Sequence, residues 1–285
     1  MAVRFSSLTI SCGLCLLLNA AFPAPGWSQK EAKEQSPIQD NSFLIEEAYN
    51  QERGVIQHIS TFSRMWNSRD WCYTFTQEWP EPHNWRHQLS YTLVGAHAGG
   101  FAGSGMGWGD TILNYRYQLV GDGDTRFSFA PRFSVLLPTG DVTRGRSSGG
   151  GGIQTNLPAS VVLHRRLVSH WNAGATLVPH AQNADHERAG TAGYTLGQSL
   201  VFLLNPRVNL LLETVDNRFQ CVAGPGRTEW SRTTYVSPGV RWAYNFKSGL
   251  QIVPGVAMPL GVGASAGERG LFLYLSFEHP YRAAR

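Results

Sequence analysis

The sequence predicts an all-β fold, an antiparallel transmembrane up-and-down β-barrel of about twelve strands. Polar and apolar residues alternate through most of the chain, tight turns and longer links follow one another, and tryptophan and tyrosine gather near the ends of the predicted strands. Alternation with a period of two is typical of strands with one apolar and one polar face. Aromatic residues at strand ends are typical of barrels whose outer surface meets lipid.

The first 28 residues have the composition of a secretory signal peptide. Arg4 precedes an apolar run over 8–22, and Gly26 and Ser28 form a pair of small residues after it. The run is too short for a membrane-spanning helix, which needs about 20 apolar residues. We expect cleavage after Ser28, so that the mature chain either leaves the inner membrane entirely or enters a second membrane as strands.

Residues 29–54 are predicted to form an N-terminal periplasmic segment or a plug that folds into the bore. Residues 29–41 are polar, and 42–52 is the best candidate for a short helix, which Gly54 would end. The barrel is expected over 55–281.

Twelve strands are predicted in this region, and the second shows the pattern well. Trp71, Tyr73 and Phe75 lie on one face, whereas Cys72 and Thr74 lie on the other. The predicted strands are 55–64, 70–79, 86–94, 108–119, 125–137, 153–166, 170–180, 192–204, 207–216, 231–246, 249–260 and 270–279.

The links between the strands are of two kinds. Tight turns are predicted at 122–124, 205–207 and 247–249, and longer loops at 138–152, 181–191 and 217–230. Bacterial barrels have short periplasmic turns and longer exterior loops. The long loops are therefore expected outside the cell and both termini in the periplasm, which requires an even number of strands.

A soluble β-sandwich also has alternating strands and is the alternative fold. We favour the barrel because the polar faces hold few Lys and Glu, whereas strands facing solvent usually carry more charge. A net charge of +4 without a basic block indicates no nucleic-acid partner. Cys72 and Cys221 are the cysteines that follow the predicted signal peptide, and one disulfide or two free thiols are both open. No cofactor and no metal are expected.

Three motifs resemble a known family. Gly107-Trp108-Gly109-Asp110 opens one strand, Pro138-Thr139-Gly140-Asp141 ends a later one, and Gln154-Thr155-Asn156-Leu157-Pro158 begins the next. Together they resemble bacterial outer-membrane proteins labelled as transporters of the meta-pathway of phenol degradation. The resemblance covers about 43–281 and is densest over 107–160.

This resemblance implies a porin-like barrel that passes small or hydrophobic compounds across the outer membrane. Phe277 or Tyr281 would be the terminal aromatic residue that the barrel-assembly machinery recognises. The expected partners are therefore this machinery, outer-membrane lipid and a small-molecule solute.

Polar side chains on the inward parity of the strands are the predicted pore lining. Arg116 is the leading candidate for a selectivity residue, because arginines outnumber the acids opposite them and rings of one charge set pore selectivity. An equal alternative is that the arginines pair with acids in a packed interior. The predicted pore-lining residues are Asp110, Asn114, Arg116, Arg132, Gln154, Asn156, His164, Asn172, Glu213, Arg241 and Asn245.

The predicted function is passive passage of small molecules, without catalysis. A lipid-modifying barrel enzyme and a structural or adhesive surface barrel are the alternatives. Ser160 and His164 are the nearest candidates for a catalytic pair, but residues four apart on a strand are separated by about 13 Å, too far for a hydrogen bond.

Overall fold

The computed structural model describes residues 38–81, 83–98 and 105–280. The predicted signal peptide, residues 29–37 and the extension after Pro280 lie outside the described residues. Within the described ranges, no helix has the length and apolar character needed to cross a membrane.

In the described residues, twelve antiparallel strands form a closed barrel. Each strand pairs with its neighbours in sequence, and the first pairs with the last from Val55 opposite Pro280 to Met65 opposite Gly270. The predicted fold class is confirmed. The strands are β1 (Val55–Met65), β2 (Trp71–Pro80), β3 (His87–His97), β4 (Gly107–Trp108 and Thr111–Tyr117), β5 (Phe127–Phe129 and Arg132–Leu137), β6 (Gly152–Asn156 and Ala159–His164), β7 (Leu167–Gln182), β8 (Arg188–Asn205), β9 (Val208–Gly224), β10 (Arg227–Trp242 and Tyr244–Asn245), β11 (Gln251–Ala257 and Leu260–Gly261) and β12 (Gly270–Pro280).

The two faces of the strands meet different surroundings. On β4, Leu113 and Tyr115 face outward and are 47% and 39% exposed, whereas Asn114 and Arg116 are buried inside the barrel. The same alternation recurs on β9, where Leu210 and Leu212 face outward and Leu211 is buried. A leucine- and aromatic-rich exterior around a polar interior is the arrangement of an outer-membrane barrel.

The two ends of the barrel have different links. Val55 and Pro280 lie at the same end as the two-residue links 165–166 and 206–207, and we call this the terminal end. The opposite, far end has the fourteen-residue link 138–151, which contains the 3₁₀ turn Val142–Arg144. A second 3₁₀ turn, over residues 263–265, lies at the same end.

Two of the predicted long loops are wrong, because the strands continue through them. β7 and β8 are joined by residues 183–187, and β9 and β10 by 225–226 alone. The β9–β10 pairing runs from Val208 opposite Trp242 to Gly224 opposite Arg227. Backbone pairing needs no apolar side chains, so polar residues continue the ladder beyond the apolar band.

The predicted helix over 42–52 is also wrong. Residues 38–54, which we call the N-terminal segment, contain no helix and run through the inside of the barrel. A helix of this length is marginal on its own, and wall side chains take the backbone N–H groups that a helix would use. At its start, Ile38 packs into a buried cluster with Ala243, Val253, Ala257, Phe272 and Tyr274.

Candidate functional site

A buried glutamate of β9 binds three consecutive backbone groups of the N-terminal segment. Oε1 of Glu213 accepts the N–H groups of Phe43, Leu44 and Ile45 at 3.0, 2.8 and 3.2 Å. Successive backbone N–H groups that converge on one anion form a concave binding site for it. The barrel wall therefore supplies the carboxyl group and the segment supplies the N–H groups that bind it.

Further along, other wall side chains each accept one N–H group of the segment. The distances between donor and acceptor range from 2.6 to 2.9 Å, as expected for normal hydrogen bonds. The acceptors lie on different sides of the bore, so the segment crosses it. The pairs are Glu46 N with Asn172 Oδ1, Ala48 N with Ser160 Oγ, Asn50 N with Gln118 Oε1, and Gln51 N with Gln88 Oε1.

Glu46 joins the segment to two arginines of the wall. Arg132 Nε donates to Glu46 Oε2 at 2.9 Å, and Arg116 forms an ion pair with Oε1. Asn156 Nδ2 donates to Oε2 at 2.6 Å. Burial alone would raise the pKa of Glu46, but the charges of the two arginines outweigh it and lower the pKa to about 2.

The adjacent Glu47 is held much less firmly. Its carboxylate lies 3.8 Å from Arg116, whose Nη1 donates instead to the carbonyl of Tyr49 at 2.8 Å. Burial raises the pKa of Glu47, and the charge of Arg116 offsets this only in part. Neighbouring carboxylates on one segment therefore have pKa values displaced in opposite directions.

Phe43 packs into a hollow that two glycines leave in the wall. Its ring centroid lies 5.6 and 5.3 Å from those of Phe272 and Tyr274. A Cβ atom on Gly239 or Gly255 would lie 2.7 or 2.6 Å from the Phe43 ring. Any larger residue at either position would displace the ring, so this wall is shaped for the segment.

A serine and a histidine of the wall connect to the segment through a chain of hydrogen bonds. Ser160 Oγ lies 2.8 Å from His170 Nδ1, and His170 Nε2 lies 2.9 Å from the carbonyl of Asp40. This pattern assigns the proton to Nε2, so that Ser160 donates to Nδ1 while accepting from Ala48. Burial raises the pKa of Asp40, whose carboxylate is 3.9 Å from Nε2.

The segment divides the interior into two cavities that share no lining residue. One, of about 400 Å³, is bordered by residues 41–47 and by β1–β6 and β12. The other, of about 550 Å³, is bordered by 38–40 and 49–53 and opens toward the terminal end. Within the described residues, the segment therefore lies between these two cavities.

The backbone arrangement has counterparts among solved structures. The NanC porin matches with a TM-score of 0.50 at 10% identity, over 77% of this chain and 98% of that one. The fold is that of a porin-like outer-membrane barrel. The KdgM porin matches at 0.47 and 10% identity (78% and 98%), and the toluene transporter TodX of P. putida at 0.37 and 11% (81% and 89%). No family model and no curated protein matches the chain.

Most of the predicted pore-lining residues lie around the N-terminal segment. Arg132 connects the two strands adjacent to its own, because its Nη1 donates to Asn114 of β4 at 2.6 Å and its Nη2 donates to Gln154 of β6 at 3.2 Å. Arg241, fully buried, donates to the carbonyl of Asn41. The residues brought together here are Asn114, Arg116, Arg132, Gln154, Asn156, Asn172, Glu213 and Arg241.

The other three predicted residues lie elsewhere. His164 is exposed at the end of β6, and Asn245 accepts from Gln251 at 2.7 Å near the link 246–250. Asp110 holds the link 138–151 in place, because Oδ2 accepts both N–H and O–H of Ser148 at 2.8 Å. His164 lines the 550 Å³ cavity beside the segment, whereas Asp110 and Asn245 lie near these two links.

Several residues of the site were missed by the sequence analysis. His170 and Gln88 are buried and contact the segment, and their inward parity would have marked them as candidates. Ser160 pairs with His170 and not with His164. Cys72 and Cys221 are both free thiols.

Proposed function

We propose that the protein is a bacterial outer-membrane channel for small molecules, in which the N-terminal segment acts as a plug that restricts passage. The observation that carries the proposal is the segment itself, which crosses a polar bore and separates two cavities. Its many specific hydrogen bonds to the wall support a defined closed state. Passage then requires either that the segment shifts or that the solute moves along the side of the bore that the segment does not fill.

The less occupied side is the wall of β1–β3, which is lined with hydroxyl groups. Thr61 and Thr74 join through their Oγ1 atoms at 2.6 Å, and Thr76 and Thr92 at 2.9 Å. The threonine hydroxyl groups therefore hydrogen-bond one another within the wall, and they line the 400 Å³ cavity. Phe43, Phe272 and Tyr274 line another part of the same cavity, and charged side chains such as Arg116 and Arg132 line the rest.

A cavity with a hydroxyl row on one side and aromatic rings on another suits small solutes that have one apolar and one hydrogen-bonding face. The resemblance of 107–160 to the phenol-pathway family supports the same class, small hydroxylated aromatic compounds. The terminal end is proposed to face the periplasm, with 1–28 removed as a signal peptide and 55–281 forming the barrel.

Arg116 fits the second of its two predicted roles, pairing with an acid inside the barrel. It pairs with Glu46 of the segment, so it anchors the plug and does not face an open pore. Replacing it with glutamate would place a third carboxylate beside Glu46 and Glu47. We therefore propose that the first effect of such a change is release of the segment.

Single-channel recording in planar bilayers tests the proposal. The full chain is expected to show brief, small openings, and phenol added on one side is expected to reduce their current more than a trisaccharide does. Thr74→Val should weaken the phenol effect, whereas the lipid-facing control Thr214→Val should not. A protein that never conducts, even after a Glu46→Gln change, would refute the channel.

One observation bears on the alternative of a lipid-modifying enzyme, namely the hydrogen bond between Ser160 and His170. Both side chains are buried, neither lines the two cavities described above, and the serine oxygen is already bonded to Ala48. A nucleophile needs access to its substrate. The pair therefore fits a structural link better than a catalytic one.

A further inference from the structure

A basic and aromatic cluster lies on the outer surface of β8–β10. Tyr194 and Trp230 stack with ring centroids 5.4 Å apart and planes 17° apart, and both are half-exposed. Arg218 lies opposite both Tyr194 and Arg232 in the strand register. These four side chains and Ser231 border a surface pocket of about 360 Å³.

The two arginines are held by one carboxylate. Nε of Arg218 donates to Asp216 Oδ1 at 3.3 Å, and Nε of Arg232 donates to Oδ2 at 2.8 Å. Thr234 Oγ1 donates to the same carboxylate at 2.7 Å. In the part of the chain that the structure describes, the terminal Nη groups of both arginines have no protein partner, and the cluster keeps one net positive charge.

The height of this cluster follows from strand geometry. Arg218 is ten residues beyond Val208, the first residue of β9 at the terminal end. At about 3.4 Å per residue and a tilt of about 40°, ten residues rise about 26 Å, close to the apolar band of about 25 Å in such barrels. The outward leucines of β9, Leu210 and Leu212, lie within that band.

Arg218 and Arg232 are therefore at the level of lipid headgroups at the far end. Guanidinium groups bind phosphate through paired hydrogen bonds, and a headgroup site excludes part of the competing water. The faces of the aromatic pair carry partial negative charge, which attracts the C–H groups of a sugar ring.

We propose that this cluster binds the phosphorylated glucosamine headgroup of lipopolysaccharide. A phospholipid would offer phosphate to the arginines but no sugar ring to Tyr194 and Trp230. The proposal rests on the membrane placement given above, in which the far end faces the exterior and so meets the leaflet that contains lipopolysaccharide.

The test compares lipid binding by the full chain in detergent, measured by native mass spectrometry. The probes are diphosphoryl lipid A, its dephosphorylated form, and phosphatidylglycerol. The site variant is R218Q/R232Q, and the matched control is R165Q/R166Q, which removes two exposed arginines at the terminal end. A heat-dependent gel shift verifies that each variant is folded.

Diphosphoryl lipid A is expected to bind more tightly than either other probe. R218Q/R232Q should weaken it about tenfold or more, since hydrogen bonds between charged groups are the strong ones, while R165Q/R166Q should leave it unchanged. Trp230→Leu should weaken lipid A but not phosphatidylglycerol. Equal losses in both double variants, equal affinity for all probes, or no loss in R218Q/R232Q would overturn the proposal.

Discussion

Replacing Glu46 with glutamine removes the charge that joins the N-terminal segment to Arg116 and Arg132. Glutamine has nearly the same shape and can still accept hydrogen bonds, so the change isolates the charge. The buried guanidinium group of Arg116 and the partly buried one of Arg132 then lose their shared counterion. Losing one partner of a buried ion pair is costly because the remaining charge stays desolvated.

The pKa of Glu46 gives the size of the effect. The pKa falls from an ordinary 4.5 to about 2, which corresponds to about 3 kcal/mol in favour of the ionised, docked carboxylate. The side chain is only 19% exposed, so solvent screening reduces this value little. A change of about 3 kcal/mol raises the population of the undocked segment about 100-fold.

Single-channel recording measures this population as the fraction of time spent in the larger open state. Glu47→Gln is the matched control, because it removes the adjacent carboxylate, whose pKa burial raises. It should leave the open fraction unchanged or slightly smaller. Equal open fractions in wild type and Glu46→Gln, with both proteins folded by the gel-shift criterion, would show that this ion pair does not hold the segment.

Three further outcomes are expected from the same structure. Because the pKa of Glu46 is lowered, its stabilisation of the docked segment is complete above pH 4.5 and is lost as the pH falls toward about 2. Burial raises the pKa values of Glu47 and Asp40, so protonating these two carboxylates strengthens docking at milder pH. The open fraction should therefore fall slightly on mild acidification and rise steeply below pH 4, and a monotonic profile would contradict this. Phe43→Ala empties the glycine-lined hollow and should cost docking about 2–3 kcal/mol, which limited proteolysis of the segment would register as faster cleavage. Ser160→Ala removes one acceptor and one donor and should cost about 1–2 kcal/mol; an unchanged cleavage rate would show that the serine contributes nothing to docking.

The period of two in the sequence was enough to predict the twelve strands and the inward parity of residues such as Asn114 and Arg116. It could not predict where strands end outside the apolar band. Beyond Asp216 the outward positions of β9 become polar, so the pattern resembled a loop although the backbone ladder continued to Gly224. Backbone pairing, and not polarity, determines length there.

The role of the N-terminal segment depended on contacts that no local pattern contains. Glu46 and Arg116 are 70 residues apart in sequence, and Glu213 and Leu44 are 169 residues apart. Local propensity favoured a helix because those partners are invisible in an eleven-residue window. The inward charges were predicted, but the identity of the group they bind was not.

The segment's partners are distributed over β3 to β10 and β12, and this has a consequence for the order of folding. These groups face one another across the bore only when the sheet has curved into a barrel, so we expect the segment to dock after the wall has formed. Ordering it early would cost chain entropy with few contacts in return. Protection of the segment's amide protons against hydrogen exchange should therefore appear last during assembly. This protection would show directly that the barrel has closed.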